Sequence, residues 1–235
     1  MKTASKISAS IARLAVLAGV TAAMMMPVHA DVLVSNTAQP LRGTTVISAS
    51  PLDQFAAQSF STDANAYQLN SIDLVLGNQT ADSLPFATLH ADVAGSVGGV
   101  LTSFGVSGIG SGTPSLVMLM AVGSPLTLAP STTYWIVLGE AGTGSFGFSY
   151  AQGNSQVGPG SLGAYRYSVD AGLTWGSAGT DDPHLLGVNV TPVPEPSTYA
   201  LMLMGLLGIG IGGRAYRQPR APQADDFRRP RREWT

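Results

Sequence analysis

The sequence contains no cysteine anywhere, and between residues 31 and 193 it contains no lysine. The first absence excludes a disulfide scaffold, a Cys-ligated metal site and a lipid-modified cysteine anchor. The second leaves two arginines against ten acids in that stretch, a net charge of −8. Such a surface repels phosphates, so no nucleic-acid partner is expected, and without lysine no phosphate-binding P-loop can form. Charged residues make up only 11% of the chain and histidines number three, so acid–base chemistry has few carriers. No Ser stands in G-x-S-x-G, no H-E-x-x-H occurs, and the middle of the chain lacks an amphipathic helical stripe and any 40-residue repeat.

The charge that is present is segregated. Residues 1–30 hold Lys2, Lys6 and Arg13, whereas residues 214–235 hold seven arginines against three acids. Between Lys6 and Pro27 runs a largely apolar stretch, Ile11 to Met26, and Val28-His29-Ala30 places small residues where a signal peptidase reads them. Residues 1–30 are therefore expected to be a secretory signal peptide, cut by signal peptidase between Ala30 and Asp31. The apolar run falls short of the roughly 20 residues of a membrane span, which argues against an uncut anchor.

The opposite end has its own order. Thr191-Pro192-Val193 leads into Pro194-Glu195-Pro196, then Ser197-Thr198, then fifteen uncharged and mostly apolar residues, 199–213, and then Arg214 and Arg217. The prolines hold the backbone extended and remove two N–H donors. Ser197 or Thr198 can cap a helix, and at about 1.5 Å per residue a helix over 199–213 reaches about 22 Å. Snorkelling arginines and local thinning extend that to a transmembrane helix. Arg214 and Arg217 are the topology charges that hold the C-terminus in the cytoplasm, with residues 31–196 outside.

Val193, Pro194, Glu195, Pro196 and Ser197, the short Gly/Leu/Met span and the basic cluster after it resemble the PEP-CTERM sorting signal of Gram-negative bacteria. A segment of this kind is also met at the C-terminus of some proteins labelled ice-binding. The resemblance implies an inner-membrane precursor recognised by exosortase, a membrane-embedded cysteine peptidase. Exosortase would cut near Pro194-Glu195-Pro196 and deliver the protein to the cell surface or extracellular matrix, often alongside exopolysaccharide and biofilm. Residues 192–217 form this segment, and the Arg-rich tail 218–235, expected to be disordered, departs from the usual pattern of stopping soon after the arginines.

Residues 31–191 alternate short β-type runs with Gly, Ser, Pro, Asn and Asp clusters. Candidate strands are Val32–Ser35, Thr45–Ile47, Ala56–Ser61, Tyr67–Leu76, Ala87–Val93, Leu116–Val122, Thr133–Leu138, Ser145–Tyr150, Ala164–Ser168, Thr174–Trp175 and Leu186–Val190. The expected fold is all-β, a two-sheet sandwich of jelly-roll type. Ile72, Leu74 and Leu76 share one parity and should face its core. Glycine-rich residues 95–112 are expected to be a surface loop.

Ser168, Asp170, Gly172, Thr174 and Trp175 match S-x-D-x-G-x-T-W and so resemble the Asp-box hairpin of sialidases and other β-proteins. That resemblance implies a structural turn and carries over no hydrolase activity. Ala57-Gln58-Ser59-Phe60, Ser71-Ile72-Asp73-Leu74 and Thr133 to Leu138 are similar to extracellular choice-of-anchor domains, which bring no activity to transfer.

His90 and His184 stand far apart, and the carboxylates sit mostly in turn-like contexts, so neither a catalytic residue, a metal site nor a cofactor is assigned. Asp181-Asp182 near Asp170 would be the oxygen-rich group for calcium. Tyr134, Trp135, Tyr165, Tyr167 and Trp175 would be the rings for stacking on sugar. Only Thr44-Thr45 and Thr132-Thr133 pair up, which is no regular ice-binding array. The expected function is that of an exported, non-enzymatic surface or matrix protein. The alternatives are a carbohydrate-binding module that retains exopolysaccharide, and a secreted hydrolase. N-terminal sequencing and intact mass of the exported protein should find a chain that starts at Asp31; an exported chain starting at Met1 refutes the cut.

Overall fold

A computed structural model describes residues 30–49, 51–123, 125–194 and 203–205. It divides at Val193/Pro194 into two units, each treated by itself. The described residues of the first hold twelve strands: β1 (Asp31–Ser35), β2 (Leu41–Ser48), β3 (Phe55–Ser61), β4 (Tyr67–Gly77), β5 (Pro85–Val93), β6 (Ser96–Phe104), β7 (Ser115–Met120), β8 (Thr127–Leu128), β9 (Thr133–Glu140), β10 (Ser145–Ala151), β11 (Ser161–Ser168) and β12 (Leu186–Pro192). They form two antiparallel sheets. Seven strands run β1-β12-β4-β10-β2 with β7 and β8 also on β4, and five run β11-β3-β9-β5-β6.

The long strand β4 organises the larger sheet. β12 pairs one edge from Tyr67 to Leu74, and β10 takes over that edge at Leu76 and Gly77. β7 and β8 take the other edge. Along β4 the buried residues change parity, from Tyr67 and Leu69 to Ile72, Leu74 and Leu76. The register explains the change: Asn189 lies opposite Ser71 and Val190 opposite Leu69, so Asn70 is an inserted residue, a β-bulge. One extra residue exchanges the two faces of a strand, which lets both halves of β4 feed the same core.

The middle of the smaller sheet is β9, paired with β3 on one side and β5 on the other. Both of its faces are covered. Tyr134, Ile136 and Leu138 join the main core with Phe60, Leu89, Phe146, Phe148, Leu186 and others from both sheets. Trp135 and Val137 join a second cluster with Ala57, packed by Phe55, Val97, Ala164 and Trp175. A strand buried on both sides reads as a continuous apolar run, as Tyr134 to Leu138 does. At about 1.5–3 kcal/mol for each large apolar side chain removed from water, burial on this scale is what orders a chain so poor in charge.

Three expectations need correction. Residues 96–104 of the glycine-rich stretch are β6, paired with β5. Ala94 and Gly95, at φ 52° and 77°, make the two-residue hairpin turn, and the Gly95 N–H donates to Asp92 Oδ2 at 3.0 Å. The register slips beside His90, where a Cβ on Gly98 would strike the Ala91 carbonyl. Glycine there serves an edge bulge. Thr174–Trp175 is not a strand, because Asp170 takes the Thr174 N–H at 2.9 Å and bends the chain. β2 starts at Leu41, well ahead of the expected Thr45.

Of the helix expected over 199–213, residues 203–205 are helical and the rest lies outside the described residues. Among the described residues no helix is long and apolar enough to cross a membrane. The signal segment 1–29 and the tail 218–235 also lie outside them.

The β9–β10 connection is tied down by a buried carboxylate. Glu140, 5% exposed, accepts from the Ser83 hydroxyl, from the Leu84 N–H at 2.5 Å and from the Gly142 N–H at 2.7 Å. Removing that acceptor strands three donors. Glu140→Ala should therefore cost about 2–4 kcal/mol in urea denaturation, and Glu140→Gln, which keeps an acceptor oxygen, clearly less.

Candidate functional site

The Asp-box residues lie in one turn after β11. The Ser168 hydroxyl donates to Asp170 Oδ1 at 2.6 Å and accepts the Gly172 N–H at 2.8 Å. Thr174 gives its N–H to Asp170 Oδ1 at 2.9 Å and its hydroxyl to Oδ2 at 2.5 Å. Gly172 takes φ 81°, a conformation open to glycine at no steric cost. Donation from the Ser168 and Thr174 hydroxyls, and then from the Thr174 N–H, holds the Asp170 carboxyl at about 2, below its ordinary 3.8. Its donors are all within the turn, and Trp175 leads from there onto the second apolar cluster.

The outer face of the five-stranded sheet answers for Trp135. Its ring is 2% exposed. Its Nε1–H donates to Asp92 Oδ1 at 2.7 Å, and the Arg166 guanidinium lies 5.9 Å from the ring centroid. Arg166 in turn donates to the Gly176 carbonyl at 2.6 Å and the Gly95 carbonyl at 2.9 Å. Trp135 is thus closed off beneath an arginine that straps the Asp-box segment to the β5–β6 turn. Tyr134 is buried in the main core, stacked on Phe60 at 5.7 Å. Neither ring is available for the sugar stacking considered from sequence.

Tyr165 and Tyr167 lie elsewhere. They stand on β11 and, with Tyr150 on β10 and Thr45 on β2, line a cleft of about 520 Å³. Behind them is His184, fully buried and stacked on Phe148 at 4.1 Å. Tyr165 and Tyr167 each meet the imidazole edge-on at 5.8 Å, and Tyr150 does so at 6.3 Å. Arg42 and Asp182 form an ion pair on the cleft wall. No feature of the sequence around Pro183-His184-Leu185 marks that histidine, since the side chains around its ring come from three strands, β2, β10 and β11, and none from its own segment.

Other sequence candidates are dispersed. His90 is fixed locally, with Nδ1 donating to the Gly98 carbonyl at 2.8 Å and Nε2 in hydrogen-bond contact with the Thr88 hydroxyl at 2.9 Å. Asp182 accepts the Gly153 N–H at 3.0 Å besides pairing with Arg42. Among the described residues no three His, Asp or Glu side chains converge as a metal site, so Asp181, Asp182 and Asp170 do not come together as the oxygen-rich group considered for calcium. Ala30 precedes β1, Asp31 is its first residue, and the Val193 N–H donates to the Ala66 carbonyl at 3.0 Å. Pro194 is the last described residue of its segment; Glu195, Pro196, Ser197, Arg214 and Arg217 lie outside the described residues.

Among the described residues the last strand ends at Pro192, and the proline-flanked segment follows it directly in sequence, the layout of a domain followed by a sorting address. Residues 192–218 match the family model described as the PEP-CTERM protein-sorting motif. The chain carries this motif, which implies export, a membrane-anchored precursor and processing by exosortase. Comparison with curated proteins and with solved structures found no match.

His184 generates a pH dependence. Burial pushes its imidazole down to about 3 from an ordinary 6.5, so the folded chain refuses a proton that the unfolded chain accepts. Stability is then complete above pH 6.5 and falls as pH drops from 6.5 toward 3, by up to about 1.4 kcal/mol per unit. Between pH 6.5 and 5, above the carboxylate range, urea midpoints of the wild type should decline and those of His184→Phe should stay level.

Proposed function

We propose that this chain is an exported, non-enzymatic protein of the cell surface or extracellular matrix. Signal peptidase releases it at Ala30–Asp31, exosortase processes it near Pro194-Glu195-Pro196, and its association is with exopolysaccharide or biofilm. The observation that carries the reading is the sorting motif at residues 192–218, beginning where β12 ends. Pairing of Asp31 with Val190 supports it further. Because β1 and β12 are antiparallel neighbours, the two expected processing positions leave the domain at one pole, the arrangement a precursor held at one membrane by both ends requires.

The non-enzymatic reading is supported by how the reactive groups are used. Glu140 and Asp170 are occupied by backbone and hydroxyl donors, and His184 is walled in by aromatic rings. A general acid or base must reach a substrate proton, and these groups are turned to their own fold.

The pairing pattern also supports a jelly roll. Counting eight strands as β1, β3, β4, β5, β6, β7, β9 and β12, the first pairs with the last, the second with the seventh, the third with the sixth and the fourth with the fifth. That is the order produced by rolling up one long antiparallel hairpin, with β2, β8, β10 and β11 as additions.

Glu195 and its flanking prolines are the residues on which sorting turns. Glu195→Ala should leave uncut precursor in the inner membrane, detected by immunoblot of fractionated cells. Normal delivery of that variant to the surface defeats the sorting assignment.

A further inference from the structure

The cleft between β2, β10 and β11 has the composition of a binding site, and a ligand assigned to it deepens the proposed association with exopolysaccharide, on which this inference rests, while sorting by residues 192–218 is tested separately. Tyr167 is 38% exposed although it sits among packed rings. Its ring centroid lies 5.5 Å from that of Tyr165, and both are braced edge-on by the buried His184. The Tyr167 hydroxyl lies 3.2 Å from the Thr45 hydroxyl. The platform is therefore held from behind and at its tip, so a ligand that lands on it meets rings whose ordering cost is already met.

Space for these rings comes from glycine. A Cβ on Gly43 would overlap the Tyr150 ring, and one on Gly179 would overlap the Tyr165 ring. The hydroxyl ends of these rings thus pack against bare backbone. Around them stand hydroxyls and an amide, Thr44, Thr45 and Gln54, and the Arg42–Asp182 pair.

The chemistry of this lining selects its ligand class. Arg42 and Asp182 cancel each other's charge, so the wall carries fixed donors and acceptors with no net attraction for an anion or a cation. An apolar ligand would strip water from the Arg42–Asp182 pair and the hydroxyls without offering bonds in its place. A ring with one apolar face and a rim of hydroxyls satisfies both the tyrosines and the polar wall. We propose that this cleft binds a neutral saccharide, stacked on Tyr167 and hydrogen-bonded by Arg42 and Asp182. A volume of about 520 Å³ lies within the usual range of small-ligand sites.

The test uses the full chain in detergent on an array of neutral hexose and N-acetylhexosamine hexasaccharides. Saturable retention of at least one is expected. Tyr167→Ala should weaken it about tenfold or more, Tyr167→Phe should largely keep it, and Trp175→Ala, on the opposite face of that sheet, should leave it unchanged. Tyrosine nitration of the wild type with and without the retained sugar needs no variant, and should show Tyr167 protected. Failure of folded wild type to retain any neutral oligosaccharide overturns the proposal, as does an unprotected Tyr167. So does retention confined to uronic or sulfated glycans and lost in Arg42→Gln, which would make the cleft an anion site.

Discussion

Two buried amide side chains close the seam between the sheets, and the rest of the molecule is arranged around that closure. Gln58 of β3 accepts the His184 N–H at 3.0 Å and donates to the Gly163 carbonyl at 3.0 Å. Asn36, just past β1, donates to the His184 carbonyl at 3.1 Å and accepts the Leu186 N–H at 2.7 Å. The segment entering β12 is thereby held from both sheets at once. Inside a low-dielectric core such bonds are strong when complete and costly when broken. An apolar core alone fixes two sheets face to face only loosely; these amides fix where along their length they meet.

That closure has a consequence at the surface. With His184 pinned through its backbone, its imidazole is placed between Phe148 of one sheet and Tyr165 and Tyr167 of the other. The ring finds no partner for Nδ1, and its contacts through Nε2, to Tyr167 and Thr45, are long at 3.4 Å. Histidine here works as a flat filler, kept neutral by burial. The exposed tyrosine platform is then the outer surface of a stack whose inner layer belongs to the core, so the cleft and the sheet seam are one construction.

How much of this was legible in the sequence depended on the range of the interactions. The Asp-box pattern located its turn because Ser168, Asp170, Gly172 and Thr174 bond one another within seven residues. β9 was legible because a strand covered on both faces leaves a continuous apolar run. The parity of Ile72, Leu74 and Leu76 was legible too, whereas the contribution of Tyr67 and Leu69 was hidden, because an inserted Asn70 is visible only against its partner strand. The strand at 96–104 was missed since glycine reads as loop, yet glycine is what an edge bulge beside Ala91 admits. Glu140 and His184 gave no signal at all: the donors and rings around them come from residues as distant as Ser83 and Phe148. The sorting motif, contiguous by nature, was the most legible feature, and it matched a known family model.

The scarcity of cations, first noticed as an exclusion, acquires a positive meaning once the two arginines between residues 31 and 193 are located. Arg166 is committed to holding the Asp-box segment and the β5–β6 turn over Trp135. Arg42 is committed to Asp182. With both engaged and ten acids in the same stretch, the domain offers little to attract a polyanion, and long-range electrostatics oppose its approach. Recognition of a neutral ligand by such a surface has to rest on short-range contacts, ring faces and hydroxyls, which are insensitive to the net charge around them. The tyrosine cleft is where the fold gathers those contacts.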